Sequence, residues 1–470
     1  MELKILEFLT LIVGIYMAWN IGANDVANAI STSVGSKALT LKKAVIIAAL
    51  LEFFGAYFLG GNVSQTIQSG IVNPDVFKND YLIFILGMMS ALLATGLWLN
   101  FASYLRMPVS TTHAIIGAVV GFGSVIGGVH AVNWTLVLQI ALSWIITPAI
   151  SGVISYYIFI FLQRKILYSL SPLKATKKIV PILVFFTIFV FLQSLIFSKI
   201  TNLKLPFSTS FAFIIVLILA LAIAVISYFL INKIKIDSCH VVLHHPNQVL
   251  SLEKAHKHLL RLKLSSKGDT KEKVSKITNE VNEMLSDIKE KTKFSEMSKE
   301  YLKVEKVFGF LQIISLSLIA FAHGSNDVAN AIGPVSAIIQ TINLKNVNIS
   351  GLVPPWILLI GASGIVLGLA TWGYRVVETI GHKITTLTPT RGFSAEFGAA
   401  TTILIASKLA LPISTTHALV GSVLGVGLAK GLTSLNLKML KDIVLSWIIT
   451  LPICAILSIL VFYLLKFFFY

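Results

Sequence analysis

Gly22-Ala-Asn-Asp-Val-Ala-Asn-Ala-Ile30 returns 302 residues later as Gly324-Ser-Asn-Asp-Val-Ala-Asn-Ala-Ile332. Two further blocks return in the same order. Pro108-Val-Ser-Thr-Thr-His-Ala114 reappears as Pro412-Ile-Ser-Thr-Thr-His-Ala418, and Leu142-Ser-Trp-Ile-Ile-Thr147 as Leu445-Ser-Trp-Ile-Ile-Thr450. The offsets, 302, 304 and 303 residues, are too close to be coincidence, so the chain is an internal duplication.

What is duplicated is membrane-embedded. Hydrophobic residues make up 56% of the 470 and charged residues 13%, against about 25% charged in a soluble domain; the mean hydropathy is +0.84. Met107 to Gln163 is a run of 57 residues without Asp, Glu, Lys or Arg, and a spanning helix needs about 20. Charge-poor stretches fall at about 5–31, 41–60, 81–105, 108–128, 133–162, 179–199, 207–232, 307–333, 352–375, 391–410, 412–429 and 438–468. This composition excludes an ordinary cytosolic enzyme and a disordered chain. Cys239 and Cys454 are too few for a disulfide framework or a paired-cysteine metal site. The first residues read as an uncleaved helix rather than a signal peptide, since Glu2, Lys4 and Glu7 precede no small-residue cleavage site.

The expected fold is an all-α polytopic membrane protein with four regions: a repeat at 1–165, two extra spans at 166–232, a polar loop at 233–306 and a second repeat at 307–470. The loop holds 16 Lys and Arg against 11 Asp and Glu, and Val274, Ile277, Val281, Leu285 and Ile288 recur in it at helical spacing. Stretches 81–128 and 391–429 read as helical hairpins, re-entrant or fully crossing. Either way an odd number of crossings separates the two halves, so the second is inverted, an architecture of secondary transporters with substrate near the midplane. The net charge of +17 reads as membrane orientation, not nucleic-acid binding. Lys37, Lys42, Lys43, Arg164, Lys165, Lys174, Lys177, Lys178, Arg375, Lys383, Arg391, Lys430, Lys438 and Lys441 fall on one side, fourteen against six for Lys4, Lys78, Lys199, Lys204, Lys345 and Lys466. The fourteen mark the cytoplasmic side, which places both termini outside and the loop inside.

Asp25 and Asp327 interrupt apolar segments, where an ionised carboxylate costs about 2.5–3.5 kcal/mol even on lenient insertion scales. Asn24 and Asn28 flank the first, Asn326 and Asn330 the second, at spacings that share a helical face. Carboxylate and amide oxygens together suit a small hard cation. In the other repeated block, Pro108 and Pro412 are expected to open the second limb of each hairpin. Ser110, Thr111 and Thr112, with Ser414, Thr415 and Thr416, then add hydroxyl donors to the positive end of a helix dipole, an oxyanion site without a fixed charge. His113 and His417 follow as groups that hold the opposite limb, donate to the anion or titrate. Glu52 and Glu396 are candidates to bind a cation, carry a proton, or pair with Arg106 or Lys408. Gly117/Gly121 and Gly421/Gly425 allow close helix contact. Trp144 and Trp447 read as packing or interface residues.

The two Gly-x-Asn-Asp-Val-Ala-Asn-Ala blocks and the two Pro-[Val/Ile]-Ser-Thr-Thr-His blocks resemble those of the inorganic phosphate transporter (PiT) family, also called phosphate permeases. So do Trp372-Gly-Tyr-Arg375 and Thr388-Pro-Thr-Arg-Gly-Phe393. The resemblance implies a cation-coupled phosphate symporter, with phosphate at the Ser-Thr-Thr segments and sodium near the Asn-Asp clusters, Na⁺ favoured over H⁺. No cofactor is expected beyond the coupling ion. The expected partners are inorganic phosphate, that cation and the bilayer; the oligomeric state is open, a homodimer included. A sulfate permease of the same family is the nearest alternative. An intramembrane enzyme is remote, since neither His-Glu-x-x-His nor Gly-x-Ser-x-Gly occurs.

Overall fold

The computed structural model describes residues 2–105, 107, 109–169, 171–197, 209–234, 246–296, 299–347, 352–373, 377, 387–431 and 437–470, with side chains at all of these save 2, 27, 28, 197, 209, 246–250, 288–296, 299, 437 and 439. Asn28's side chain, Arg106, Pro108, Arg375 and Lys383 therefore lie outside the described residues, as does the side chain of Ile288.

The chain is nearly all helix, as a lipid-embedded backbone requires, because each N–H and C=O must find its partner within the protein. Helix α1 (Glu2–Ile21) passes through a single π turn, Gly22–Val26, into α2 (Ala27–Gly35). Next come α3 (Leu41–Leu59) and, after a 55° bend, α4 (Gly61–Gln65) with a second π turn, Thr66–Gly70. Two helices form the first hairpin, α5 (Tyr81–Tyr104) and α6 (Thr111–Ile126), followed by α7 (Trp134–Leu162). Helices α8 (Pro172–Phe197) and α9 (Thr209–Asn232) lead to the polar pair α10 (Pro246–Ser265) and α11 (Asp269–Glu296). The second half comprises α12 (Lys299–Leu344), α13 (Pro355–Trp372), the hairpin α14 (Pro389–Lys408) and α15 (Thr415–Lys430), and α16 (Leu437–Phe469). Among the described residues, eight helices are long and apolar enough to cross a membrane, nine if the bent pair after Leu41 counts as one span.

Three sequence expectations shift. The first span runs on to Gly35, because the hydroxyl-rich Ser31–Ser36 stretch stays helical although its hydropathy falls. The bent piece at 61–70 was not anticipated. Pro412 does not open its helix: α15 starts at Thr415, and Ser414 is the N-cap, its Oγ accepting from His417 N at 3.2 Å. The mirror cap is Ser110 to His113 N, also 3.2 Å. A serine hydroxyl that satisfies an orphan N–H outranks a proline that merely presets φ.

Two compact units divide the chain. One comprises Met1–Phe159, Phe186–Ala220 and Gly309–Tyr470; the other comprises Ile160–Phe185 and Leu221–Phe308. In the second unit α10 packs on α11; of the apolar stripe that the spacing predicts, Val274 and Leu285 are buried and Val281 is half-buried, whereas Ile277 is exposed. Lys177 Nζ donates to the carbonyls of Asn232 (3.2 Å) and Ile234 (2.6 Å), placing a cation at the carbonyl end of α9.

In the first unit the helices meet at glycines, since lipid gives no hydrophobic reward for association and close backbone contact must supply it. A Cβ on Gly324 would stand 2.3 Å from Glu52 O, and one on Gly22 1.9 Å from Ile365 O. Thus α12 crosses α3 and α1 crosses α13, two equivalent contacts of the duplicated motif. The other repeated glycines behave alike. Gly121 abuts Ala455 of α16 and Gly425 abuts Gly152 of α7, so each hairpin limb packs on a long helix of the other half.

Candidate functional site

Asp25 lies in the π turn after α1, and Asp327 lies near the middle of α12. Both are buried. The sequence reading treats them as two clusters; the crossing helices make them one. Ligand-capable atoms of Asp25, His323 and Asp327 all lie within 4.8 Å of one another. The π turn supports this arrangement, because the irregular ladder re-aims the Asn24-Asp25 pair, as such bulges commonly do at functional sites.

The hydroxyl blocks converge on the same carboxylates. Thr111 Oγ1 donates to Asp25 Oδ2 at 2.7 Å, and Thr415 Oγ1 donates to Asp327 Oδ2 at 2.7 Å. Thr416 donates across the halves to Asp25 Oδ1. Asn330 Nδ2 reaches Thr111 Oγ1 at 3.2 Å and Thr112 Oγ1 at 3.3 Å, again across the halves. Thr112 itself donates to the carbonyl of Ile413 at 2.8 Å.

The asparagines preceding the two aspartates hold the hairpin tips in matching ways. Asn24 Nδ2 donates to Ser103 Oγ (2.9 Å) and Met107 O (3.2 Å); Asn326 Nδ2 donates to Ser407 Oγ (3.2 Å) and Leu411 O (3.2 Å). With the amide nitrogens so occupied, Asn24 Oδ1, Asn326 Oδ1 and Asp327 Oδ1 are buried without a hydrogen-bond partner among the described residues. Oxygens that only accept, beside carboxylates, are a donor set for a hard cation.

His323 is the residue that the sequence reading missed. Its Nδ1 stands 3.0 Å from Glu52 Oε1 and its Nε2 stands 3.0 Å from Asp327 Oδ2, so it links Glu52 to the aspartates. The matching position in the first repeat is Ile21, just before the repeated block, so the duplication gave no signal for it. Glu52 therefore pairs with His323 rather than with Lys408; Arg106, its other expected partner, lies outside the described residues. Glu396 is also elsewhere. Its Oε1 accepts from Thr32 (2.6 Å), Ser33 (2.7 Å) and Gln312 (3.0 Å), and its Oε2 from Ser315 (2.5 Å). Four donors saturate that carboxylate and tie α2, α12 and α14 together.

His113 and His417 face one another, ring centroids 4.5 Å apart. Their Nδ1 atoms lie 3.3 Å from Trp447 O and 3.0 Å from Trp144 O, while the rings pack on Trp144 and Trp447 at 3.8 and 3.5 Å. They hold the opposite half, and each imidazole packs on a tryptophan ring.

The phosphate transporter family matches residues 21–458. The chain belongs to that family. It is 43% identical over 459 residues to a putative phosphate permease of Chlamydia pneumoniae, covering 97% of each chain. It is 41% identical over 464 residues to the chloroplastic inorganic phosphate transporter 2-1 of Arabidopsis thaliana, covering 98% of this chain and 72% of that one. A solved structure described as the sodium-dependent phosphate transporter superposes with a TM-score of 0.79 at 35% identity, covering 98% and 99% of the two chains. As a member of the phosphate transporter family with at least eight long apolar helices, the chain is a multi-pass membrane protein.

Proposed function

We propose that this phosphate transporter family member imports inorganic phosphate coupled to Na⁺ by alternating access of two inverted repeats. One observation carries the reading: aspartates from both repeats accept hydrogen bonds from the threonines of both hairpins. The oxyanion donors and the cation acceptors are one connected network.

Charge then supplies the coupling. Two carboxylates within 4.8 Å repel by more than about 3 kcal/mol at an effective dielectric of 20, and a phosphate bringing one or two more negative charges raises that cost. Cations on Asp25, Asp327 and the unpaired Asn24 and Asn326 oxygens offset it. Phosphate then takes the hydroxyls of Ser110, Thr111 and Thr112 and of Ser414, Thr415 and Thr416, with the N-termini of α6 and α15. Each ligand raises the other's affinity by the same factor. The loaded site permits the halves to rock and a half-loaded one does not. Glu52 and His323 tune Asp327, and the positive-inside count puts both termini outside and residues 233–306 in the cytoplasm.

The adjacency also favours phosphate over sulfate. Hydrogen phosphate has a proton to donate and sulfate has none; Asp25 and Asp327, beside the threonines, are acceptors for it. Sodium is favoured over the proton by the acceptor-only oxygens and by the likeness to the sodium-dependent phosphate transporter. The test is labelled phosphate uptake into proteoliposomes with and without an inward Na⁺ gradient at equal pH. Uptake that requires the gradient and resists excess sulfate is expected. Uptake indifferent to Na⁺ but driven by a pH gradient overturns the choice of ion, and sulfate uptake in its place overturns the substrate.

A further inference from the structure

Beside the hairpin tip of α14 lies a cavity of about 240 Å³, walled by the end of α3, the start of α4, the second half of α8 and the last turns of α14. Its walls have two characters. Asn62, Gln193 and Lys408 are polar; Phe189, Leu404 and Ile405 are apolar. The Gln193 Oε1 atom is buried without a hydrogen-bond partner among the described residues, so the site offers an acceptor that awaits a donor. Lys408 and Asn62 offer donors, one of them a full positive charge. At a share of about 30 Å³ per water the space equals about eight waters, which is room for a phosphate group with several methylenes.

The duplicated machinery does not account for these residues. The position matching Lys408 is Tyr104, and α8 lies outside the repeated blocks. Yet the cavity touches that machinery: Ser407, which also lines it, accepts from Ser325 and Asn326 at 3.2 Å each. Lys408 is exposed at the last residue of α14, where a basic side chain can lay its stem along apolar surface and hold its charged head in a polar setting.

We infer that this cavity binds one anionic amphiphile, with its charged head on Lys408 and Asn62, a head or glycerol hydroxyl donating to Gln193, and its acyl chain on Phe189, Leu404 and Ile405. The occupant wedges α8 against the tip of α14 and so bears on the hairpin that carries Thr415 and Thr416. The inference is independent of which ion drives transport.

Native mass spectrometry of the full chain in detergent tests it, with dioleoyl phosphatidylglycerol, dioleoyl phosphatidylcholine and oleate as separate arms. One phosphatidylglycerol per chain is expected, held at least tenfold more tightly than phosphatidylcholine. Lys408→Gln and the cavity-filling Ile405→Trp should each cut retention at least tenfold. Oleate that displaces the phospholipid through the same residues identifies a fatty carboxylate as the occupant and supports the site. Should Ile405→Trp fail to elute as a monodisperse species, Gln193→Leu carries the same comparison. Equal retention of the two phospholipids, or variants that keep phosphatidylglycerol as the wild type does, overturns the inference.

Discussion

Replacing Asp25 by Asn separates a cation-binding carboxylate from a merely structural one. The substitution preserves shape and leaves Oδ1 as an acceptor for Thr111 or Thr416, the two hydroxyls that now reach Asp25. It removes one charge from a pair within 4.8 Å, relieving more than about 3 kcal/mol of repulsion at an effective dielectric of 20. Against that stands the loss of about one charge-assisted hydrogen bond, about 1.5–3 kcal/mol. The two terms nearly cancel, so the thermal midpoint in detergent should move by only a few degrees. A bound monovalent cation, in contrast, loses about 4 kcal/mol of attraction at 4 Å with the same dielectric, or about a thousandfold in affinity. The assay is Na⁺ activation of phosphate uptake in proteoliposomes, paired with calorimetric Na⁺ titration of the detergent-solubilised variant. A folded protein with no saturable Na⁺ activation is the expected result. Wild-type Na⁺ dependence with an unchanged midpoint would refute the cation role, and a large fall in midpoint with normal coupling would make Asp25 a structural polar group.

Other perturbations probe neighbouring groups. Glu396→Gln replaces an acceptor facing four donors with a group that must itself donate; a destabilisation of about 3 kcal/mol is expected, and an unshifted unfolding midpoint would contradict it. His323→Gln and Glu52→Gln should each slow uptake at least tenfold, and the double variant should be no worse than either alone, because the pair stands in one chain with Asp327; additive losses would show independent roles. Gly425→Leu should prevent assembly, since even a Cβ there stands 2.0 Å from Gly152 O, whereas Gly61→Ala meets nothing within 4 Å and should be silent; size-exclusion profiles of the two decide. Ala410→Gly should stabilise by about 1 kcal/mol, because Ala410 occupies the left-handed region at φ 54° where glycine usually closes a helix, and a lowered midpoint would argue against strain there.

Most of the architecture was legible because the bilayer imposes it. Charge-free runs have to be helices, and a motif repeated at offsets of 302 to 304 residues has to be built twice. The hairpin limbs 81–105 with 108–128 and 391–410 with 412–429 correspond to α5 with α6 and α14 with α15. What escaped notice depended on contacts between the halves. No local pattern says that Thr416 reaches Asp25, nearly 400 residues away, or that two Asn-Asp clusters meet. The bend at 61–70 escaped because Gly60-Gly61-Asn62 is short and polar, and reads as a loop. His323 stands just before the repeated block, where the first copy has Ile21, so nothing in the duplication marks it.

The departures from equivalence between the two copies of the motif bear on the proposed coupling. Were the halves equivalent, Thr112 would donate to Asp327 as Thr416 does to Asp25; it donates to Ile413 O instead. Asp25 thus answers to two hydroxyls, whereas Asp327 shares Oδ2 between Thr415 and His323 and keeps Oδ1 buried and unpaired. His323, standing where the first repeat has Ile21, is the one ionisable group that distinguishes the two copies of the motif. A buried imidazole between two carboxylates lowers the cost of holding Glu52 and Asp327 together, leaving an oxygen of Asp327 to a cation while Asp25 is already hydrogen-bonded through both of its own. Two identical motifs would bind two identical ions with no order. Under the proposed cation coupling, placing the histidine in only one copy makes Asp327 the side from which a cation would first meet an unpaired carboxylate oxygen, so the ordering of ligands that the proposal requires would follow from one substitution beside a duplicated block.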